Sequence, residues 1–304
     1  MISRIEHNGV EWIDVHSPLP DDIIKIAKEL EIHPRVVEEL LHPSFRPRAE
    51  SFGHHLYLIL HVPTFDRVSQ LHRAHELDIV TDKNTLLTVH YDIIEPMHEF
   101  FRSLQLNLAL RDKVLKGGPE RLLYALWARI YEHLLSELDH VQKKIDRVEE
   151  RIFAGHEREL IRDISLLRRD VLDFGRAVKP HDGVLESLER IRLNFFSERF
   201  GERLFDLWGK HRRMVNILDA NRDTLGTLYA TNDSLLTHRS NEIIKTLTIL
   251  ALLTFPLSLI ATIFSIDAVS RPIVGGKYDF WIIVGIMLCA IAGMLMYFKH
   301  RRWI

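Results

Sequence analysis

Cysteine is nearly absent: the 304 residues contain one, Cys289, so no disulfide framework holds the fold and a reducing compartment suits the soluble part. Charge of one sign is missing as well. Forty Lys and Arg stand against 42 Asp and Glu, a formal charge of −2, which gives no reason to expect nucleic acid as a partner. Glycine-rich phosphate loops, nucleophile elbows and the paired-histidine helix motif of metal hydrolases do not occur, so an enzyme is not expected and no cofactor is implied. The opening segment Met1-Ile2-Ser3-Arg4-Ile5-Glu6-His7 has no apolar core of a secretory leader, and targeting is expected to fall to other segments.

The chain does contain two long apolar runs at its end. Leu247 to Ile266 is twenty residues without a charge, and Phe280 to Phe298 is nineteen more. Each can cross a hydrocarbon core of ~30 Å as a helix. Thirteen residues join them, so they predict a hairpin whose outer ends return to one side. Arg239 and Lys245 precede the first run, and Lys299, His300, Arg301 and Arg302 follow the second; in the loop, Arg271 and Lys277 are offset by Asp267 and Asp279. The positive-inside tendency places both termini in the cytoplasm of a multi-pass protein of the cell (inner or plasma) membrane. Mean hydropathy over the whole chain, −0.04, hides this because the soluble part dilutes it.

Residues 1–116 alternate strand and helix signals and predict a cytosolic α/β domain. Val10 to Val15, Leu56 to Leu60, Glu76 to Val80 and Leu86 to His90 read as strands, and Pro20-Asp21-Asp22 opens an amphipathic helix. Lys116-Gly117-Gly118-Pro119 breaks the pattern. Residues 117–245 then follow helical spacing and predict a long-helix, coiled-coil-like funnel or stalk. Leu134, Leu138, Val141, Ile145, Val148 and Ile152 form one apolar seam, and Leu160, Ile164, Leu167, Val171, Phe174 and Val178 form a second. Gly155 separates the two and Pro180 ends or kinks the second helix. From about Phe200 no proline occurs before Pro256, which predicts one helix running into the membrane. Residues 246–304 form the hairpin and its basic tail, and the fold class is α+β. The eighteen histidines are scattered; His54-His55 and His72/His75 split between strand faces, so they read as solvated or capping residues rather than a zinc site.

In the first apolar run Asn241, Ile244, Thr248, Ala251, Phe255, Ser258, Thr262 and Ser265 recur every three or four residues and share one helix face. Small hydroxylated residues on such a face pack helices closely, or line a pore with Phe255 as a hydrophobic constriction. Two spans per chain cannot enclose a path, so a pore requires several chains.

The order Asn241-Glu242-Ile243-Ile244-Lys245, Leu247-Thr248-Ile249, Pro256-Leu257 and Ile260-Ala261 resembles the first-helix signature of the CorA superfamily of divalent-cation transporters. The ending Tyr297-Phe298-Lys299-His300-Arg301-Arg302-Trp303-Ile304 resembles its aromatic, polybasic tail. Arg46-Pro47-Arg48-Ala49-Glu50 is similar to its "RPK-x-E" segment and Thr85 to His90 to its "LITVH" strand, while Leu167-Arg168-Arg169 and Arg222-Asp223 fall in matching helices. The resemblance implies a homopentamer in a lipid bilayer. It implies a channel for Mg²⁺, with Co²⁺ or Ni²⁺ as further cargo, closed by intracellular Mg²⁺ acting as a regulatory ion. Counting back from Asn241, Asp206 falls on the family's acidic sensor position; a solvated surface aspartate is the other reading.

The family's Gly-Met-Asn triplet is replaced here by Ser265, Ile266 and Asp267, after the aromatic Phe264. Asp267 carries the acceptor oxygens that the waters of a reluctantly dehydrated Mg²⁺ require. It also reads as a helix cap, or as a partner of Arg271 or Lys277. The altered triplet leaves two other readings: a ZntB-like zinc transporter coupled to protons, and a degenerate member acting as regulator or scaffold.

Overall fold

The computed structural model describes all residues except 45, 67, 267–272, 274, 275, 302 and 304. The described chain forms two compact units, Met1–Ala230 and Thr231–Ile304.

The first unit is built on a six-stranded mixed sheet: β1 (Ile2–His7), β2 (Val10–His16), β3 (Arg48–Phe52), β4 (His55–Asp66), β5 (Leu71–Thr81) and β6 (Thr85–His90). Their spatial order is β1-β2-β6-β5-β4-β3. β2 and β6 run parallel, with Trp12 beside Leu86 and His16 beside His90, and the other pairings are antiparallel. The period of two distributes side chains to two faces. Ile13, Val15, Leu87 and Val89 enter a core with Ile23, Ile26, Val36 and Leu40 from α1 (Pro20–Glu29) and α2 (Pro34–Leu40). On the opposite face Trp12 packs on Phe100 and Phe101 of α3 (Glu95–Leu106), and its indole N–H donates to the Thr88 hydroxyl at 3.0 Å. The edge strands β1 and β3 carry no clear strand signal in the sequence. β1 is largely exposed and β3 is short and charged, as edges that resist further pairing are.

A short α4 (Leu108–Leu115) leads to the breaker. Gly118 adopts φ +81°, open to glycine at little cost, and Pro119 starts α5 (Pro119–Phe153). Both apolar seams are buried as their spacing predicts, the first on α5 and the second on α6 (Glu157–Val178). Gly155, at φ +95°, makes the turn between them, and Arg151 ties it by reaching Glu159 and Asp163, each at 3.2 Å. Pro180 separates α6 from α7 (His181–Ile191), and a short 3-10 turn (Arg192–Asn194) precedes α8 (Phe200–Ser265). α8 is a single helix of 66 residues with Pro256 inside it.

Several histidines expected at the surface lie in the core instead: His55, His72, His90, His181 and His211. Each of the last two finds a carbonyl. His181 Nε2 donates to His61 O at 3.0 Å while its Nδ1 faces the Tyr131 hydroxyl at 3.1 Å, and His211 Nε2 donates to Val178 O at 3.0 Å. Burial, with His211 nearby, pushes the His181 pKa down to about 3, so the ring is neutral and acts as a core aromatic. His72 is held differently. Its backbone N–H and ring Nδ1 both reach Asp170 Oδ1, at 2.6 and 2.9 Å, joining β5 to α6.

Candidate functional site

The second unit contains the outer half of α8 and all of α9 (Asp279–His300), two helices long and apolar enough to cross a membrane. Their apolar windows are unburied in the single chain, which marks surface that another chain or lipid must cover. Proline inside α8 has no N–H to give to the Leu252 carbonyl, a defect that a membrane helix tolerates where neighbours compensate.

The sequence-predicted stripe lies within this stretch of α8 and is unburied throughout. Phe255 is 74% exposed and Ile244 56%; Asn241, Ala251, Ser258, Thr262 and Ser265 are exposed, and Thr248 is half-buried. Three of its hydroxyls share one arrangement. Thr248 donates to Ile244 O at 2.8 Å, Ser258 to Thr254 O at 3.0 Å and Thr262 to Ser258 O at 2.7 Å. Each hydrogen is thereby spent on the helix's own backbone, and the oxygen keeps lone pairs for an outside donor. Thr246 and Thr254, off the stripe, are bonded in the same way to Glu242 O and Leu250 O. Back-bonding is therefore a property of this helix rather than of the stripe alone. At its outer end Ala261, Thr262, Ser265 and Ile266 line an open hollow of about 460 Å³. Two members of the predicted triplet, Ser265 and Ile266, thus meet Thr262 on one surface. Asp267 lies outside the described residues.

At the far end of α9, Trp303 closes back on the helix: its N–H donates to Phe298 O at 2.9 Å and its ring stacks on Phe298, 5.9 Å and 8° apart. Arg301 lies over Tyr297, 5.9 Å from the ring centroid. Aromatic and cationic side chains together at a helix end are the anchors that membrane interfaces select.

Asp206 sits on the inner part of α8, in the first unit. It accepts from the Tyr124 hydroxyl at 3.0 Å and lies 3.6 Å from Lys210 Nζ, which also reaches Glu132 at 2.7 Å. Burial alone would lower the Lys210 pKa, but Glu132 and Asp206 outweigh it and raise it. Within one chain, then, Asp206 has a partial counter-charge. Sequence spacing signals Lys210 (four residues on) but not Tyr124 or Glu132. Among the described residues no three His, Cys, Asp or Glu side chains converge on a single metal position.

Comparison with known proteins supplies a family. A family profile described as "CorA-like Mg2+ transporter protein" matches residues 7–300. The cobalt/magnesium transport protein CorA of Thermotoga maritima is 23% identical over 297 residues, covering 96% of this chain and 83% of that one. The complete structure of the CorA magnesium transporter from Methanocaldococcus jannaschii superposes with a TM-score of 0.85 at 23% identity, covering 99% of this chain and 93% of that one. The ZntB cytoplasmic domain from Vibrio parahaemolyticus shares the soluble fold more loosely, with a TM-score of 0.54 at 14% identity over 78% of this chain and 90% of that one.

Proposed function

This chain belongs to the family of CorA-like Mg²⁺ transporter proteins, and from that premise we propose that it is a homopentameric channel for hydrated divalent cations, Mg²⁺ foremost. Five copies of α8 line the path in this reading, and both termini face the cytoplasm. The observation that carries it is the stripe from Asn241 to Ser265. A hydrated Mg²⁺ presents water hydrogens outward and gives up its shell reluctantly. Thr248, Ser258 and Thr262 meet such an ion with acceptor oxygens, because their own hydrogens are engaged by carbonyls. Ion and lining are complementary without dehydration. Phe255 and Ile244 interrupt the hydroxyls with apolar rings of the kind that gate by excluding water.

At the mouth, Asp267 supplies the acceptors that Gly-Met-Asn supplies elsewhere in the family, with charge in addition. The gate in this reading is Asp206. Intracellular Mg²⁺ bridging it to a neighbouring subunit must compete with Lys210, so a cation there displaces a weak, half-exposed ion pair. A proton-coupled zinc transporter is the alternative. Reconstitution separates the two: uptake of Mg²⁺, Co²⁺, Ni²⁺ and Zn²⁺ into liposomes is measured with and without a pH gradient, alongside the native mass in detergent. The channel reading expects a pentamer and Mg²⁺ entry that needs no proton gradient. A stable monomer or dimer, or Zn²⁺ entry driven by external acid with no Mg²⁺ entry, overturns it.

A further inference from the structure

The parallel pair β2–β6 ends at a divergence. β2 continues into α1, which packs in the core with Ile13 and Val15, whereas β6 continues into α3, which packs on Trp12 of the opposite face. In open sheets of this kind ligands bind at the carboxyl ends of parallel strands whose connections leave to opposite faces. Here that crevice is a cavity of about 340 Å³, lined by Asp14, His16, His90, His98, Arg102 and Gln105 among others. Register puts His16 beside His90, and their rings stack 4.9 Å apart. No sequence spacing reveals the grouping, because it comes from three separated elements.

His90 is the informative member. It is only 4% exposed, and its Nδ1 donates to Asp92 O at 2.6 Å. That bond places a proton on Nδ1 and turns Nε2 into the cavity, buried and without a hydrogen-bond partner. Nε2 lies 3.4 Å from Asp14 Oδ1, a carboxylate oriented by the Thr88 hydroxyl at 2.6 Å. A ring nitrogen and a carboxylate oxygen thus face each other inside the cavity. The distance is informative too: metal–ligand bonds of ~2.0–2.1 Å at the tetrahedral angle separate neighbouring ligands by about 3.3–3.4 Å. A histidine whose second nitrogen donates to a carbonyl is also the usual form of a metal ligand.

We propose that this cavity binds one late first-row divalent cation, Zn²⁺, Co²⁺ or Ni²⁺, through His90 Nε2 and Asp14, completed by His16 or His98 turning inward. The turn is required because, among the described residues, no three such side chains already converge. Arg102 places a positive charge at the same cavity. A site of this kind cannot rely on charge alone and discriminates by nitrogen donors, which Mg²⁺ does not favour. The inference stands apart from the pore and does not rest on the transport reading.

The test uses tag-free full-length protein in detergent, titrated with Co²⁺ and followed by its visible d–d absorption. One equivalent should develop the intense bands of tetrahedral Co²⁺, Zn²⁺ should abolish them, and excess Mg²⁺ should not. Ions in a hydrated pore give the weak octahedral spectrum and are thereby distinguished. Asp14→Asn and the double variant His16→Ala/His98→Ala should each bind roughly tenfold more weakly or worse, whereas His42→Ala should be unchanged. If Asp14→Asn fails to fold, the double variant decides. Absence of tetrahedral bands in the natural protein overturns the proposal and leaves His90 and Asp14 as an ion pair sharing a proton. Bands that persist undiminished in the folded variants overturn it equally.

Discussion

Replacing Asp170 by alanine should loosen the joint between the sheet and the helical layer. Asp170 is 2% exposed, and its Oδ1 accepts both the His72 backbone N–H and the His72 ring Nδ1–H. The ring's other nitrogen lies 3.5 Å from Glu137. Alanine strands both donors away from water, at ~1–3 kcal/mol each. Losing one partner of a buried ion pair costs ~3–5 kcal/mol by a separate route of reckoning. Both figures describe the same event, so about 3–5 kcal/mol is expected in total. In a cooperative unit of this size each kcal/mol moves Tm by ~2–4 °C, which gives a fall of roughly 6–20 °C. Asp170→Asn keeps an acceptor oxygen and loses only the charge, so its fall should be the smaller. The pH dependence has a definite sign. Burial lowers the His72 pKa, but Asp170 and Glu137 outweigh it and the net shift is upward. The pair's contribution is then fully present below the unfolded value of ~6.5 and is lost as pH rises through the raised folded value. The Tm gap between the natural protein and Asp170→Asn should therefore narrow as pH rises above ~6.5. Thermal unfolding of the full-length protein in detergent, followed by tryptophan fluorescence, measures both. An Asp170→Ala protein melting within ~2 °C of the natural one refutes the reasoning.

Two further outcomes follow from the transport reading. Asp267→Ala should abolish high-affinity Mg²⁺ uptake while Asp267→Asn retains transport with weaker capture of the ion, since the amide keeps the acceptor and loses the charge; normal flux through the alanine variant would move selectivity inward to Thr262 and Ser258. Millimolar Mg²⁺ should protect the helices of the first unit from proteolysis, and Asp206→Ala should lose much of that protection. Identical digestion of both proteins with and without the ion would reduce Asp206 to a helix-surface charge paired with Lys210.

What was legible in the sequence was what depends on local period. The seams Leu134–Ile152 and Leu160–Val178, the breaks at Gly118, Gly155 and Pro180, and the uninterrupted run from Phe200 all follow from spacing and backbone preference, and the structure places them there. Strands with an apolar signal were equally readable. β1 and β3 were not, because an edge strand is stabilised by one neighbour and selected to look polar. Contacts set by pairing across the sheet were hidden as well. Nothing near Asp14 or His16 in the sequence announces that residues 88 and 90 will stand beside them. The same holds for Asp206 and Tyr124, 82 positions apart. The polar stripe was legible as a pattern, whereas the engagement of its hydroxyl hydrogens required coordinates.

The continuity of α8 has a consequence for how such a chain can vary. The helix passes from the first unit to the second, between Ala230 and Thr231, without a break. Each residue added to it turns everything beyond by about 100°. One extra residue between 249 and 257 would therefore turn Thr248 about 100° away from the face it shares with Ser258 and Thr262, although the helix itself would still form. An insertion of seven restores the heading to within about 20°. Length in this stretch is thus quantised: changes of seven should leave a working protein, and changes of one or two a well-folded, inactive one.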